Sequence, residues 1–241
     1  MFVNILIFLF SVAIAVLLFK FGLRTVSNFK TLAQRILPAL GIVMLLLAIN
    51  LGMTFYAKAA LQQTANLPAV SSLAELEQVE SDSPIALVAI ASPDNPIRGR
   101  NNEYLAYVDG NGLWTPRVIL FDLDDGQIAM DNDNYKTRNW PRDNQLRYIN
   151  PEQPVVVMGE AIKSLQVTGT NIGEVTYRIK GILVFAGSHT EFKADLTRRL
   201  WGPRIMAGLN AFALGAIALG TIIAAFRVWR KSKKVDASQP G

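Results

Sequence analysis

Pro84-Ile85-Ala86-Leu87-Val88-Ala89-Ile90-Ala91, followed by Ser92-Pro93-Asp94-Asn95-Pro96, is where this chain changes period. A short apolar run with β-branched members stops at a cluster of turn formers, which is the mark of a strand and its exit. The same punctuation continues downstream. Tyr104 to Val108 ends at Asp109-Gly110-Asn111-Gly112, and Arg117 to Leu123 turns through Asp124-Asp125-Gly126 into Gln127 to Met130, the clearest hairpin in the sequence. Asp131 to Asn150 is polar around Trp140-Pro141 and reads as a long loop whose aromatics fold back onto the core. Val155 to Ala161, Ser164 to Thr168, Thr176 to Lys180 and Ile182 to Phe185 read as four more short strands. Frequent turns between short strands, without a convincing internal helix, predict an all-β barrel or sandwich over 84–190, large enough to bury a core.

Both flanks of this domain are of a different kind. Phe2 to Phe19, Ile36 to Tyr56 and Ile205 to Phe226 each lack Asp, Glu, Lys and Arg. Runs of roughly 20 apolar residues cross a hydrocarbon core of about 30 Å as helices, the one open-chain form that satisfies its own backbone in lipid. The fold class expected is therefore a membrane protein with α-helical spans and an all-β extramembrane domain. Residues 1–57 form a two-span hairpin, 58–83 a helical spacer, 84–190 the β domain, 191–204 a connecting helix, 205–226 the third span and 227–241 a basic tail. Phe2 to Phe19 is expected to be retained rather than cleaved, because no Lys or Arg precedes it as a signal peptide requires. Within the spacer, Pro68 ends the helix that continues from the second span, and Ser72-Leu73-Ala74-Glu75 has capping-box spacing for a short helix.

Charge orients the spans. Lys20, Arg24, Lys30 and Arg35 fill the first connection without an acidic residue, and Arg227, Arg230, Lys231, Lys233 and Lys234 follow the third span. The positive-inside rule places both in the cytoplasm and the β domain outside it. The formal net charge of +5 is thereby assigned to membrane flanks, and nucleic acid is not an expected partner.

Chemistry is constrained by what the composition lacks. With no cysteine and one histidine, His189, thiol nucleophiles, cysteine-ligated metals and histidine-rich metal or haem sites are excluded within the 241 residues. No cofactor or metal is expected. Asp122, Asp124, Asp125, Asp131 and Asp133 miss the spacing of a calcium loop and read as turn and loop residues. Gly169-Thr170-Asn171-Ile172-Gly173 is a turn rather than a phosphate loop, since no helix follows it. Ser188, His189 and Asp195 contain the letters of a hydrolytic triad without a nucleophile elbow around them. A membrane-tethered hydrolase is the alternative function, and a small transporter subunit a third, disfavoured by the absence of charge within the spans.

Interaction candidates lie in the spans. Gly208, Ala211, Gly215 and Ala218 share one face of the third span, and Gly220 continues a small-residue surface that lets helices approach closely. Asn50 and Asn210 can hydrogen-bond across helices. The partner is either another membrane protein or the first two spans of the same chain.

The order of spans and domain, with Pro84-Ile85 leading to Ser92-Pro93-Asp94-Asn95-Pro96-Ile97, Phe121-Asp122-Leu123-Asp124-Asp125-Gly126, Val155-Val156-Val157-Met158-Gly159-Glu160-Ala161 and Leu200-Trp201, resembles the GIDE-type, "beside a membrane" domain of mitochondrial and chloroplast membrane ubiquitin ligases. The resemblance covers roughly Leu73 to Arg230 and implies a substrate-binding or partner-binding β domain held next to a bilayer. Two departures matter: the extra first span, and the absence of the Cys and His ligands of a RING. The expectation is a RING-less, bacterial relative in the inner membrane. Its function is that of a non-enzymatic accessory, assembly or scaffold subunit, whose partners are membrane lipids and other integral membrane proteins.

Overall fold

The computed structural model describes residues 2–22, 36–99, 103–143, 146–168 and 171–236; for residues 2, 21–22, 164–168, 171–175 and 231–236 it describes the backbone alone. The basic connection through Arg24, Lys30 and Arg35, the turn residues Gly169 and Thr170, and the tail after Asp236 lie outside the described residues. In chain order the elements are α1 (Phe2–Leu17), closed by a π-helical turn (Leu18–Gly22), α2 (Leu37–Ala65), β1 (Ala69–Val70), α3 (Leu73–Gln78), β2 (Pro84–Ala91), β3 (Ala106–Asp109), β4 (Gly112–Trp114), β5 (Ile119–Leu123), β6 (Gly126–Met130), β7 (Lys136–Arg138), β8 (Arg142–Asp143), β9 (Leu146–Ile149), β10 (Pro154–Thr168), β11 (Asn171–Ala186) and α4 (His189–Asp236). The chain divides into two compact units, Met1–Gln63 with Thr197–Gly241, and Thr64–Leu196.

The helical unit is apolar on both its inside and its outside. On α2 the buried residues are Leu40, Val43, Leu47, Asn50 and Thr54, spaced by alternating threes and fours. Met206, Asn210, Ala213 and Ile217 repeat that spacing on α4. This is the seam of helices packing side by side, in which every seventh residue returns to the contact line. Outside the seam the side chains are apolar too: Phe212 is 77% exposed and Ile222 66%. Such a surface is unfavourable in water, and three helices, α1, α2 and α4, are long and apolar enough to cross a membrane.

The other unit is built on a closed ring of five strands. β2 pairs with β10, β10 with β11, β11 with β6, β6 with β5, and β5 returns to β2 through Ile90↔Asp122 and Ala91↔Phe121. Every pairing in the ring is antiparallel except β11 with β6. Counted along the chain as strands one to five, the circuit runs one, two, three, five, four. That connectivity is the Greek-key barrel of oligonucleotide- and oligosaccharide-binding (OB) folds, a shape that by itself assigns no ligand. β1 and β7 add parallel pairings to β2 and β11. The core is apolar: Ile85, Leu87, Val155, Val157, Ile179 and Val184 alternate inward along the three longest staves.

Several elements differ from their sequence reading. The four short strands expected after 155 are two long ones: β10 runs through Ile162 and Lys163 without a shift in register, and in β11 an extra residue interrupts the ladder without ending it. Gly159 pairs with Gly181 and Met158 with Leu183, so Ile182 is left over as a bulge and the inward alternation resumes at Val184. Glycine is required at 159, where a Cβ would overlap the Lys180 carbonyl oxygen, whereas a Cβ on Gly181 would meet the Met130 side chain. The loop expected over 131–150 carries β7, β8 and β9, although Trp140 does fold back, donating from Nε1 to the Val184 carbonyl at 3.0 Å. The spacer expected over 58–83 is only partly a spacer. α2 runs to Ala65, but β1 joins the sheet and α3 seats Leu76 fully in the barrel core, so the folded unit begins near Thr64 rather than Pro84. The connecting helix and the third span form one continuous helix, α4.

Candidate functional site

The two asparagines singled out in the spans meet each other. Asn50 Nδ2 donates to Asn210 Oδ1 at 3.0 Å and to the Asn4 carbonyl at 3.0 Å, which ties α2 to both α4 and α1. Asn210 Nδ2 donates to the Met206 carbonyl, and Thr54 Oγ1 to the Asn50 carbonyl. Both asparagines are fully buried at seam positions, where a lone polar residue fixes register between helices. Asn50 Oδ1 and Ser11 Oγ are buried without a hydrogen-bond partner among the described residues.

The small residues of α4 divide into two sets. Gly220 faces the bundle, where an added Cβ would lie 2.8 Å from Phe19 Cζ. Gly208, Ala211 and Gly215 are exposed, and nothing lies within 4 Å of a Cβ built on either glycine. Of the alternatives open in the sequence, the asparagine contact is internal to the chain, whereas the Gly208-Ala211-Gly215 face is uncovered.

The hydrolytic candidates take part in local structure. Ser188 and Glu191 form a capping box at the start of α4: the Glu191 amide donates to Ser188 Oγ at 3.3 Å, and Glu191 Oε2 accepts from the Ser188 amide and hydroxyl at 2.8 and 3.1 Å. Asp195 Oδ2 lies 2.6 Å from Arg138 Nη2 on β7. Neither arrangement involves His189. The acidic residues of the β5–β6 hairpin also have structural duties. Asp125 accepts from the Leu73 and Ala74 amides, capping α3 alongside Ser72, and these backbone donors hold its carboxyl below its ordinary value. Asp124 accepts from Ser71 Oγ, Asp122 from Gln127 Nε2, and Asp131 pairs with Arg178.

What the sequence did not disclose is an aromatic row. The loops between β2 and β5, and between β6 and β10, each send two strands into a second sheet ordered β4-β3-β9-β8. In its register Tyr107 stands opposite Trp114 on one side and Tyr148 on the other. Ala106 and Ile149 are buried in the core and Val108 and Leu113 pack against it, so strand alternation turns Tyr107, Trp114 and Tyr148 to the opposite face. Tyr107 and Trp114 stack with centroids 5.3 Å apart, and Tyr104 packs on Tyr148 at 4.7 Å and edge-on to Tyr107 at 6.3 Å. The exposed Arg98 guanidinium lies 5.2 Å from the Trp114 ring centre. It is held there by a pair of backbone hydrogen bonds between Arg98 and Tyr104. Gly99 makes the bend at φ +129°, and any Cβ would strike Tyr104 at 2.8 Å. Partial burial, reinforced by the Glu103 carboxylate, raises the Tyr104 phenol above its ordinary value.

The rings are half-buried, and Tyr107 and Trp114 turn their stacked faces to one another. Tyr, Trp and Arg in one patch is the composition that dominates binding energy at protein interfaces, because large rigid groups bury much area at little entropic cost. No family model, curated protein or solved structure matches the chain.

Proposed function

We propose that this chain is a non-catalytic integral membrane protein, an accessory or assembly subunit that displays an OB-type β domain outside the cytoplasm for binding other membrane proteins. The observation that carries this reading is the outward row Trp114-Tyr107-Tyr148 with Arg98, an interface-like patch on a domain joined to apolar helices. The uncovered Gly208-Ala211-Gly215 face of α4 supplies a second contact, for a partner helix in the bilayer. Localisation in a bacterial inner membrane, with the basic tail in the cytoplasm, accords with the charge flanking the helices and with the GIDE-type resemblance.

Affinity capture of the full chain from membranes in mild detergent tests the reading. It requires a partner recovered by the native protein and lost, at unchanged expression, with Trp114→Ala and Tyr107→Ala. Recovery unaffected by either change removes the patch as the binding surface. A clean monomer in several detergents removes the subunit function itself.

A further inference from the structure

The outward face of the β4-β3-β9-β8 sheet carries opposite charges at its two sides. On the β4 side, the exposed Arg98 guanidinium lies 5.2 Å from the Trp114 ring centre. On the other side stands Asp143, in the edge strand β8. It is paired with Leu146, two residues before Tyr148 on β9, so strand alternation puts Asp143 on the same face as Tyr148. Asp143 and Glu103 both lie beside the Tyr104 phenol, which packs on Tyr148 at 4.7 Å. Three inter-strand steps of about 4.8 Å separate β4 from β8, which sets the cation and the carboxylates on the order of 14 Å apart, with Trp114, Tyr107 and Tyr148 between them. Arg98, Glu103 and Asp143 are exposed, and none of them joins an ion pair among the described residues. Asp109, the remaining acid on this face, is turned into its own hairpin, where it accepts from the Asn111 amide at 2.8 Å.

This arrangement selects its occupant by charge. A wholly basic partner would meet Arg98, and a wholly acidic one would meet Asp143 and Glu103. The face that presents the matching order is the face itself. Rotating a second copy about a two-fold axis that runs along the strands, between β3 and β9, lays Trp114 and Arg98 of one copy over Tyr148 and Asp143 of the other. Such an isologous contact makes every pair twice and keeps like charges at opposite ends. The rows of rings, apolar and rigid, then cover each other at the centre of the contact, where aromatic residues contribute most to binding.

We infer that the partner of this face is a second copy of the chain, held in a two-fold dimer by the apposed aromatic rows and by Arg98 of each copy against Asp143 and Glu103 of the other. The inference rests on the reading of the row as a binding surface and names what it binds.

The test co-expresses two differently tagged full-length copies, extracts them in mild detergent and measures how much of the second is captured through the first. Arg98→Glu in both copies brings like charges together at both ends and should lower capture about 10-fold. Asp143→Arg in both copies should lower it several-fold, less than Arg98→Glu because Glu103 remains. An Arg98→Glu copy mixed with an Asp143→Arg copy sets opposite charges together at each end again, and should recover most of the native capture. That recovery also shows that neither variant has lost its fold. Capture that is equal in every combination, or as low in the mixture as in the single variants, overturns the inference. Absence of a second copy, with a different protein recovered and then lost with Trp114→Ala, overturns the dimer and leaves the binding surface standing. Absence of a second copy, with a different protein retained by Trp114→Ala, removes the binding surface as well.

Discussion

Removing the Asn50–Asn210 contact should cost the helical unit stability in a way that two separate losses cannot explain. Asn210→Ala deletes the oxygen that accepts from Asn50 Nδ2 at 3.0 Å, stranding a buried N–H at a fully buried position. Asn50→Ala deletes that bond and the one to the Asn4 carbonyl, which also anchors α1. Side-chain hydrogen bonds between membrane helices average about 0.6 kcal/mol and reach about 1.7. Asn210→Ala is expected near 1–2 kcal/mol once the lost side-chain volume is included, and Asn50→Ala higher. Because the two share one bond, the double variant should fall short of the sum by about 1 kcal/mol. Unfolding equilibria in bicelles, measured for the native chain and the three variants, give the coupling directly. Additivity within about 0.3 kcal/mol would show that the asparagines do not hold the helices together, and the seam would then rest on its apolar members.

Other consequences concern the β domain. Gly159→Ala should destabilise it by roughly 3 kcal/mol, since the new methyl meets the Lys180 backbone, whereas Gly181→Ala meets the flexible Met130 side chain and should cost less; reversal of that order in chemical denaturation refutes the bulge geometry. Burial pushes the Tyr135 phenol up to about 12, against the opposing hydrogen bond with Thr115. The folded state therefore keeps its proton where the unfolded chain, at about 10, has lost it, so stability is full below pH 10 and falls by roughly 3 kcal/mol as pH rises to 12. Tyr135→Phe should reduce that dependence in near-ultraviolet dichroism, and an unchanged alkaline slope would place its origin elsewhere. Ser72→Ala should cost about 1 kcal/mol by opening the α3 cap, detectable as a lower denaturation midpoint.

Some of this molecule is local in sequence and some is not. The apolar helices are legible because lipid-length runs without charge are a property of consecutive residues, as from Ile205 to Phe226. The β5–β6 hairpin is legible because Asp124-Asp125-Gly126 marks its turn. The long staves are not, since the bulge at Ile182 looks like a strand end when only one strand is in view. α3 reads as a spacer until Leu76 is seen in the barrel core and Asp125 at its amino end. The aromatic row is the furthest from legibility. Trp114 and Tyr148 are each paired with Tyr107 by a register that two separate loops create, and no spacing along the chain announces it. The signal available was compositional, four aromatic residues and several arginines in loops that would otherwise be expected to be polar. Asn50 and Asn210 were visible as candidates, but 160 residues separate them and their partnership is a product of helix packing.

The central claim is a β domain held outside the cytoplasm by membrane-spanning helices, and the cysteine-free sequence allows it to be tested without background. Single cysteines replacing Asn134 in the β domain and Ser232 after the last apolar run are to be exposed, in intact cells or spheroplasts, to a membrane-impermeant maleimide. Asn134→Cys should label at once, and Ser232→Cys only after permeabilisation. Labelling of Ser232→Cys alone in intact cells would invert the orientation, and equal labelling of both sites only after permeabilisation, in a chain released by alkaline carbonate, would contradict the membrane-held domain altogether.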